Sequence, residues 1–386
     1  MVRYGAPWRA RWAILGRQPT RRVDMRGLIF NGDQDVRVED VPDAQIEKPT
    51  DAVVKVTMAA ICGSDLHILN AGTAFGFEPG SRLGHEFIGT VEEVGAEVKN
   101  LRPGDRVLAS CSVLDGTCPM CMEHLHSSCN SWSLFGWAPR TWQHGGGPQG
   151  GQSEYVRVPL AATTLVQMPD EFAGLDRQKT MLPLVDVMST GWHGLRKAGM
   201  KPGYNVVVIG DGAVGLSAIH GASAMDGASI IALGHHEDRL AVARELGATG
   251  VITAREPEEI RELVMEMTNG EGAHVVVDSI SGKSSMVAAH ATVRAGGSIA
   301  CLGMDHFMQN VPEINWFDQF LRNITITGGL VPGPAYFGEL LDAVKAGRVD
   351  PAPLLTTELS LEEAPDGYRK MQSREEGVIK VCLVPA

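Results

Sequence analysis

The chain is 386 residues long, 44% hydrophobic and 21% charged, with a net charge of −12. That length accommodates two globular units, each with its own core, and the acidic balance argues against a nucleic-acid partner or an anionic membrane surface. No apolar run reaches the roughly 18 residues of a membrane-spanning helix, and seven cysteines in so long a chain do not suggest a disulfide framework, so a soluble protein of the reducing cytoplasm is expected.

Residues 1–24 differ from the rest of the chain. They hold six arginines (Arg3, Arg9, Arg11, Arg17, Arg21, Arg22), two tryptophans and one acid, Asp24. The arginine content is that of a targeting peptide, but the apolar core of a secretory signal is missing and serine is short. A mis-assigned start or a disordered extension is expected, outside the fold.

From Met25 to about Val166 the pattern is strand-rich. Val53–Thr57, Ile88–Glu92 and Arg106–Ala109 are short β-type runs punctuated by Gly, Pro and Asp, which predicts an antiparallel, barrel-like β unit. Within it, Cys62-Gly-Ser-Asp-Leu-His67 and Gly84-His85-Glu86 set a thiolate, an imidazole and a carboxylate in adjoining segments. A zinc that activates substrate needs such donors, with three protein ligands and an open fourth position. Cys118-Pro-Met-Cys121 is a second metal-type pair, in a segment that also holds Cys111 and Cys129. Cys301 and Cys382 sit in apolar stretches and read as buried packing residues.

Residues 190–330 alternate strands (Val206–Ile209, Ser229–Leu233, His274–Asp278, Ser298–Leu302) with helical patterns such as Arg239–Leu246 and Glu258–Met267. Alternation of this kind builds a parallel sheet covered by helices. The first of these strands runs into Gly210-Asp211-Gly212-Ala213-Val214-Gly215, a dinucleotide-binding fingerprint in its proper context, with the diphosphate expected on the helix N-terminus. About twenty residues on, an NAD enzyme presents an acid for the ribose 2′-hydroxyl. Here the position is Gly234, followed by His235, His236 and, one turn later, Arg239. A small residue followed by cation-capable side chains makes room for a 2′-phosphate, so NADP is preferred, with NAD still open. The stretch from Gly333 to Ala386 shows a helix near Phe337–Ala346 and a strand at Val378–Leu383 without further β–α alternation, so it is assigned back to the first unit. Zinc together with a nicotinamide cofactor points to alcohol–carbonyl redox chemistry.

Gly63-Ser-Asp65, Gly84-His-Glu-Phe-Ile-Gly89, Glu93-Val-Gly95, Gly104-Asp-Arg-Val107, Gly151-Gln-Ser-Glu-Tyr155 and the Gly210–Gly215 turn follow one another in this order. In this the chain from Met25 to Ala386 resembles the zinc-dependent medium-chain dehydrogenase/reductase family, alcohol dehydrogenase type. The resemblance implies an α/β protein with a GroES-like catalytic domain (25–189) and a Rossmann doubly wound parallel sheet for NAD(P) (190–330). Residues 331–386 then complete the catalytic domain, and the active site lies in the cleft between domains. Matched residue by residue, Cys62 and His85 are the first two zinc ligands. Asp186, in Leu182-Pro-Leu-Val-Asp186, is the third, as in the bacterial secondary-alcohol and formaldehyde dehydrogenase branches, where an aspartate replaces the more familiar cysteine. Asp65 is implied to orient His85, Glu86 to lie behind the metal and approach it as ligands exchange, and Ser64 and His67 to form a proton relay. Zinc of this kind acidifies a coordinated hydroxyl, while the hydride chemistry belongs to the cofactor.

The family's structural zinc uses four cysteines. Here the set is Asp115, Cys118, Cys121 and Cys129, with Cys111 as an alternative fourth ligand and loss of the metal as a third possibility. On the substrate side, Trp132, Phe135, Trp137 and Trp142, with Trp192, Leu69 and Phe75, would wall an apolar cleft. No cluster of lysine or arginine awaits an anion, so a neutral, fairly hydrophobic alcohol, ketone or aldehyde is expected. The family implies a homodimer or homotetramer. The alternatives are an NAD-linked polyol, amino-alcohol or formaldehyde dehydrogenase and, in a different class, a cofactor-binding structural protein, which has no need of Ser64 and His67.

Overall fold

A computed structural model describes residues 24–137, 148–172, 174–304, 314 and 316–385. The expectation for residues 1–24 lies outside the described residues except at Asp24, where the first strand, Asp24–Gly32, begins. Among the described residues no helix is long and apolar enough to cross a membrane.

The β-rich half is organised around the strand Ala52–Ala60. Its sequence, Ala-Val-Val-Lys-Val-Thr-Met-Ala-Ala, is buried at almost every position, as suits a strand covered on both faces. It pairs antiparallel with Glu86–Val94, Tyr155–Val158 and Lys380–Val384. Arg106–Ala109, Leu165–Gln167 and Leu355–Ser360 complete a seven-stranded sheet, and Asp24–Gly32 centres a separate three-stranded one. Phe30, Phe87, Phe135 and Tyr368 fill the core between them.

The return segment corrects one sequence expectation. Leu355–Ser360, the helix Ala364–Gln372 and Lys380–Val384 form a β–α–β unit whose two strands run parallel, so alternation does continue past residue 333. The segment still joins the catalytic sheet, because Cys382 and Leu383 pair with Ala60 and Ala59. The first of these strands escapes detection because its positions are only half-buried or exposed in turn, so it offers no apolar run.

The second half holds a six-stranded parallel sheet in the order Gly250–Ile252, Ser229–Leu233, Asn205–Ile209, Ala273–Asp278, Val293–Cys301, Thr325–Gly328. In chain order this is 3-2-1-4-5-6, the doubly wound arrangement that opens a ligand crevice at the strand C-termini where the order reverses. Asn205–Ile209 is buried throughout and delivers the glycine-rich turn to that crevice. Gly210 has φ +105, and a Cβ on Gly215 would lie 1.9 Å from the Gly210 carbonyl oxygen, so the helix Ala213–Ala224 can approach the strand this closely only without a side chain there.

Between the halves runs the helix Val187–Lys197. Met188, Trp192 and Leu195 join Met58, Ile88 and Leu108 of the catalytic sheet and Val206, Val208 and Leu216 of the cofactor side in one continuous core. A Cβ on Gly191 would meet the Ala218 amide nitrogen at 2.5 Å, so this helix packs tightly on the helix behind the glycine-rich turn. Asp186 stands at its N-terminus.

Candidate metal and cofactor sites

Three elements converge on one point. Cys62 caps the helix Gly63–Ala71, and the Asp65 carboxylate accepts the Cys62 N–H at 3.0 Å, which locks the cap. Ala60 and Glu86 are partners across the sheet, so the chain leaving one strand brings Cys62 beside His85 as it enters the other. The helix Val187–Lys197 supplies Asp186 from the opposite side. Ligand atoms of Cys62, His85, Glu86 and Asp186 all lie within 4.8 Å of one another. Asp186 Oδ2 is 3.2 Å from His85 Nε2 and 3.7 Å from Cys62 Sγ, and Thr190 Oγ1 donates to Asp186 Oδ1 at 3.0 Å.

Behind this group, Asp65 Oδ1 lies 3.4 Å from His85 Nδ1. Gln152 Nε2 donates to Asp65 Oδ2 at 3.1 Å, and the Tyr368 hydroxyl donates to Gln152 Oε1 at 2.8 Å. Ser64 Oγ is 3.3 Å from His85 Nε2. His67 is half-buried on the same helix as Ser64, and no hydrogen bond among the described residues links the two. Glu86 is fully buried against Lys380, whose ammonium lies 2.8 and 2.7 Å from the two carboxylate oxygens. Gln152, Tyr368 and Lys380 were not singled out from sequence. Lys380 alone carried a signal, as a lone charge inside the apolar run Val378–Leu383.

The donor set suits a divalent cation. Burial, and then the charges of Glu86 and Asp186, push the Cys62 thiol above its ordinary value, an arrangement that a bound metal reverses by taking the thiolate. Soft sulfur, imidazole and carboxylate gathered this closely are donors of the kind zinc takes.

A second group of Asp115, Cys118, Cys121 and Cys129 has its ligand atoms within the same 4.8 Å limit. Asp115 Oδ2 is 3.2 Å from Cys129 Sγ. Its Oδ1 accepts the N–H groups of Thr117 and Cys118 at 2.7 and 2.8 Å, and these bonds hold the carboxyl well below the ordinary carboxylate range. Backbone N–H groups of Asn130 and Cys121 push the Cys118 thiol down as well, whereas burial pushes the Cys121 and Cys129 thiols up. Asp115 rather than Cys111 completes the set. Cys111 is buried within the field of Asp186, His85 and Glu86, and burial pushes its thiol up.

Residues 48–170 match the alcohol dehydrogenase GroES-like domain family, and residues 213–346 match the zinc-binding dehydrogenase family. A zinc-type alcohol dehydrogenase-like protein of Bacillus subtilis, AdhB, is 33% identical over 94% of this chain and 100% of its own length. The chain belongs to the zinc-dependent alcohol dehydrogenase family. An alcohol dehydrogenase of Cupriavidus necator is 30% identical over 94% of this chain and 99% of its own. Among solved structures, the alcohol dehydrogenase TADH from Thermus sp. ATN1 superimposes with a TM-score of 0.85 at 33% identity, covering 94% of this chain and 100% of that one.

On the cofactor side of the chain the glycine-rich turn is bound to the loop after the second strand. Gly212 caps the helix Ala213–Ala224, with Ala213 and Val214 half-buried in its first turn. Asp211 Oδ2 accepts the N–H groups of His235 and His236 at 2.7 and 3.0 Å, and its carboxylate lies 2.9 Å from His236 Nδ1. Although burial pushes the Asp211 carboxyl up, these bonds hold it below its ordinary value. Arg239 donates to the Val378 carbonyl at 2.9 Å, which ties the cofactor side to the return segment. Of the three cations expected to meet a 2′-phosphate, His236 and Arg239 are therefore engaged within the protein, and His235 is exposed.

Of the residues expected at the substrate cleft, several are packed in cores. Phe135 is fully buried, edge-on to Phe87 at 5.2 Å between centroids. Leu69 belongs to the catalytic core and Trp192 to the interdomain core, while Trp132 covers the cysteine lobe. Phe75 and Trp137 lean on each other at 5.9 Å. Trp142 lies outside the described residues. Aromatic composition alone does not separate packing from pocket lining.

Proposed function

We propose that this chain transfers a hydride between a neutral, fairly apolar alcohol and a nicotinamide dinucleotide, interconverting the alcohol with its ketone or aldehyde, and that it does so with a catalytic zinc held by Cys62, His85 and Asp186. The observation that carries this reading is the convergence of those three donors, from a helix cap, a strand entrance and a second helix cap, within a chain of the alcohol dehydrogenase family. Bound there, zinc supplies a Lewis acid for the substrate oxygen, and the dinucleotide supplies or accepts the hydride.

The protein's own groups set the geometry. Asp65 holds His85 by its Nδ1 side, so that Nε2 turns toward Asp186 and Ser64. Ser64 places a hydroxyl beside the donor cluster, where it takes the substrate proton on oxidation and returns it on reduction. His67, one turn along the helix and less buried than the cluster, carries that proton outward. Lys380 keeps Glu86 ion-paired behind the cluster. Asp115, Cys118, Cys121 and Cys129 hold a second, structural zinc. None of the seven cysteines is paired in a disulfide, which fits a reducing cytoplasm. NADP is supported at the Gly234 loop by the small residue and exposed His235, and opposed there by the Asp211 carboxylate.

Replacing Asp186 tests the metal assignment. Asp186→Ala should remove about one equivalent of zinc per chain by elemental analysis and lower kcat by roughly 100-fold or more, with dinucleotide binding retained. Unchanged zinc and turnover would exclude Asp186 as a ligand.

A further inference from the structure

The place left by Gly234 is filled from elsewhere in the chain. A Cβ at residue 234 would lie 2.7 Å from both Asp211 Cβ and Asp211 Oδ2, closer than packed atoms come. An acid at the end of the second strand and this placement of Asp211 therefore exclude each other. We propose that Asp211 is the cofactor-selecting residue of this chain: its carboxylate, delivered from the glycine-rich turn, replaces the acid missing at position 234 and selects a dinucleotide with a free ribose 2′-hydroxyl, NAD, over its 2′-phosphorylated form, NADP. This rests on the reading of the Gly210–Gly215 turn as a dinucleotide site.

In a doubly wound sheet the adenosine ribose is met at the end of the second strand, beside the turn that follows the first. Asp211 bridges those two segments, accepting the N–H groups of His235 and His236, so it cannot swing away without leaving both N–H groups unpaired at the entry to the helix Glu237–Glu245. Its side chain is only 11% exposed.

The carboxylate also has acceptor capacity to spare. Two carboxylate oxygens offer about four lone-pair sites. Both backbone bonds fall on Oδ2, the His236 ring lies between the two oxygens at 2.9 Å from Oδ2 and 3.1 Å from Oδ1, and Arg239 stands 3.9 Å from Oδ1. Oδ1 can therefore accept a hydroxyl proton, which a 2′-hydroxyl offers and a phosphate dianion does not. A phosphate would instead face a fixed negative charge.

The cations do not rescue the phosphate. Arg239 Nη1 lies 3.9 Å from Asp211 Oδ1, and Nη2 is spent on the Val378 carbonyl. The guanidinium is thus held between Asp211 and the return segment and is not presented as a fork to a phosphate. The His236 ring is bonded to Asp211. His235 remains, and one exposed imidazole is a weak substitute for a guanidinium fork.

The test is binding. The purified zinc-loaded protein is titrated calorimetrically with NAD, NADP, 5′-AMP and adenosine 2′,5′-bisphosphate. Wild type should bind NAD at least about tenfold more tightly than NADP, and 5′-AMP more tightly than the bisphosphate. Asp211→Ser should shift both ratios toward the phosphorylated ligand by on the order of tenfold or more. Because Asp211 also supports the loop, Asp211→Asn serves as the second variant. It keeps an acceptor for the His235 and His236 N–H groups and removes the charge, so the ratios should still shift. Equal or tighter binding of NADP by wild type, or ratios unchanged in both variants, overturns the proposal. Wild type binding none of the four ligands would instead remove the dinucleotide reading of the turn on which it stands.

Discussion

Lys380 is a fully buried cation in the catalytic half. Lysine is almost never fully buried unless paired, and its side chain is 1% exposed against a Glu86 that is wholly enclosed. Its ammonium also lies within bonding distance of the Ile61 carbonyl, 3.3 Å away, next to the Cys62 cap. Removing one member of such a pair strands the other, at a cost of about 3–5 kcal/mol. Lys380→Met should therefore lower the unfolding free energy in urea by about that amount, and Lys380→Arg should recover part of it. A loss below about 1 kcal/mol would show that Glu86 is satisfied by other means. The same residue shows how far a sequence can be read at this scale. A lone lysine in Val-Ile-Lys-Val-Cys-Leu is recognisable as a buried cation in need of an acid. Which acid is not recognisable, because Glu86 lies 294 positions earlier in the chain. Gln152 and Tyr368, which brace Asp65 from behind His85, are hidden for the same reason: their partner is fixed by topology and not by spacing. Cys62 and Asp65, by contrast, stand three residues apart in one helix cap, where a local pattern shows them together.

At the scale of elements, the cysteine lobe is the part least able to hold itself together. Its hairpin pairs two-residue strands, Ser112–Val113 with Ser133–Leu134, and its helix Pro119–Met122 has a single turn. Its own apolar cluster is Leu114 with Cys121 and Cys129. Elements this short are ordinarily secured by a metal. Asp115→Ala should thus release the structural zinc to a chelator, lower Tm by several degrees as expected for a loss of about 1–3 kcal/mol, and leave the catalytic zinc in place. Asp115→Cys, which restores a four-thiolate set, should keep the metal. A fully retained zinc content in Asp115→Ala would mean that the aspartate is not a ligand. This lobe was readable because Cys118, Cys121 and Cys129 keep a metal-type spacing. The β–α–β unit of the return segment was not, since the strand Leu355–Ser360 shows no apolar face to a sequence pattern. Phe135 and Trp192 drew a cleft assignment from aromatic content and turned out to be packing. Periodicity reports which side of an element is covered, and says nothing about what covers it.

For the whole molecule, the six-stranded sheet ends in an edge that the described residues leave unpaired. Thr325–Gly328 is bonded to Val293–Cys301 on one side only, and the helix before it, Trp316–Arg322, buries none of its residues. Trp316, Phe317, Phe320 and Leu321 are 68%, 71%, 76% and 59% exposed. This helix is not a loose end. Arg322 is bidentate with Asp318 and donates to the carbonyls of Val293 and His290, which pins it to the body of the cofactor half. An exposed aromatic patch beside an open sheet edge has the character of an association surface, and a second copy of the chain would meet both requirements at once, since each edge strand could pair with its symmetry mate while the helices cover one another. A stable pair needs about 800 Å² from each partner, so the helix and the edge must act together. Sedimentation velocity at micromolar concentration should accordingly show a homodimer, or a larger assembly containing it. Phe317→Glu combined with Phe320→Glu should shift the population to monomers without changing zinc content, because neither side chain touches the metal groups. A wild-type monomer, or an assembly indifferent to both charges, would assign the aromatic face some other partner and leave the sheet edge protected by the twist of its own short strand.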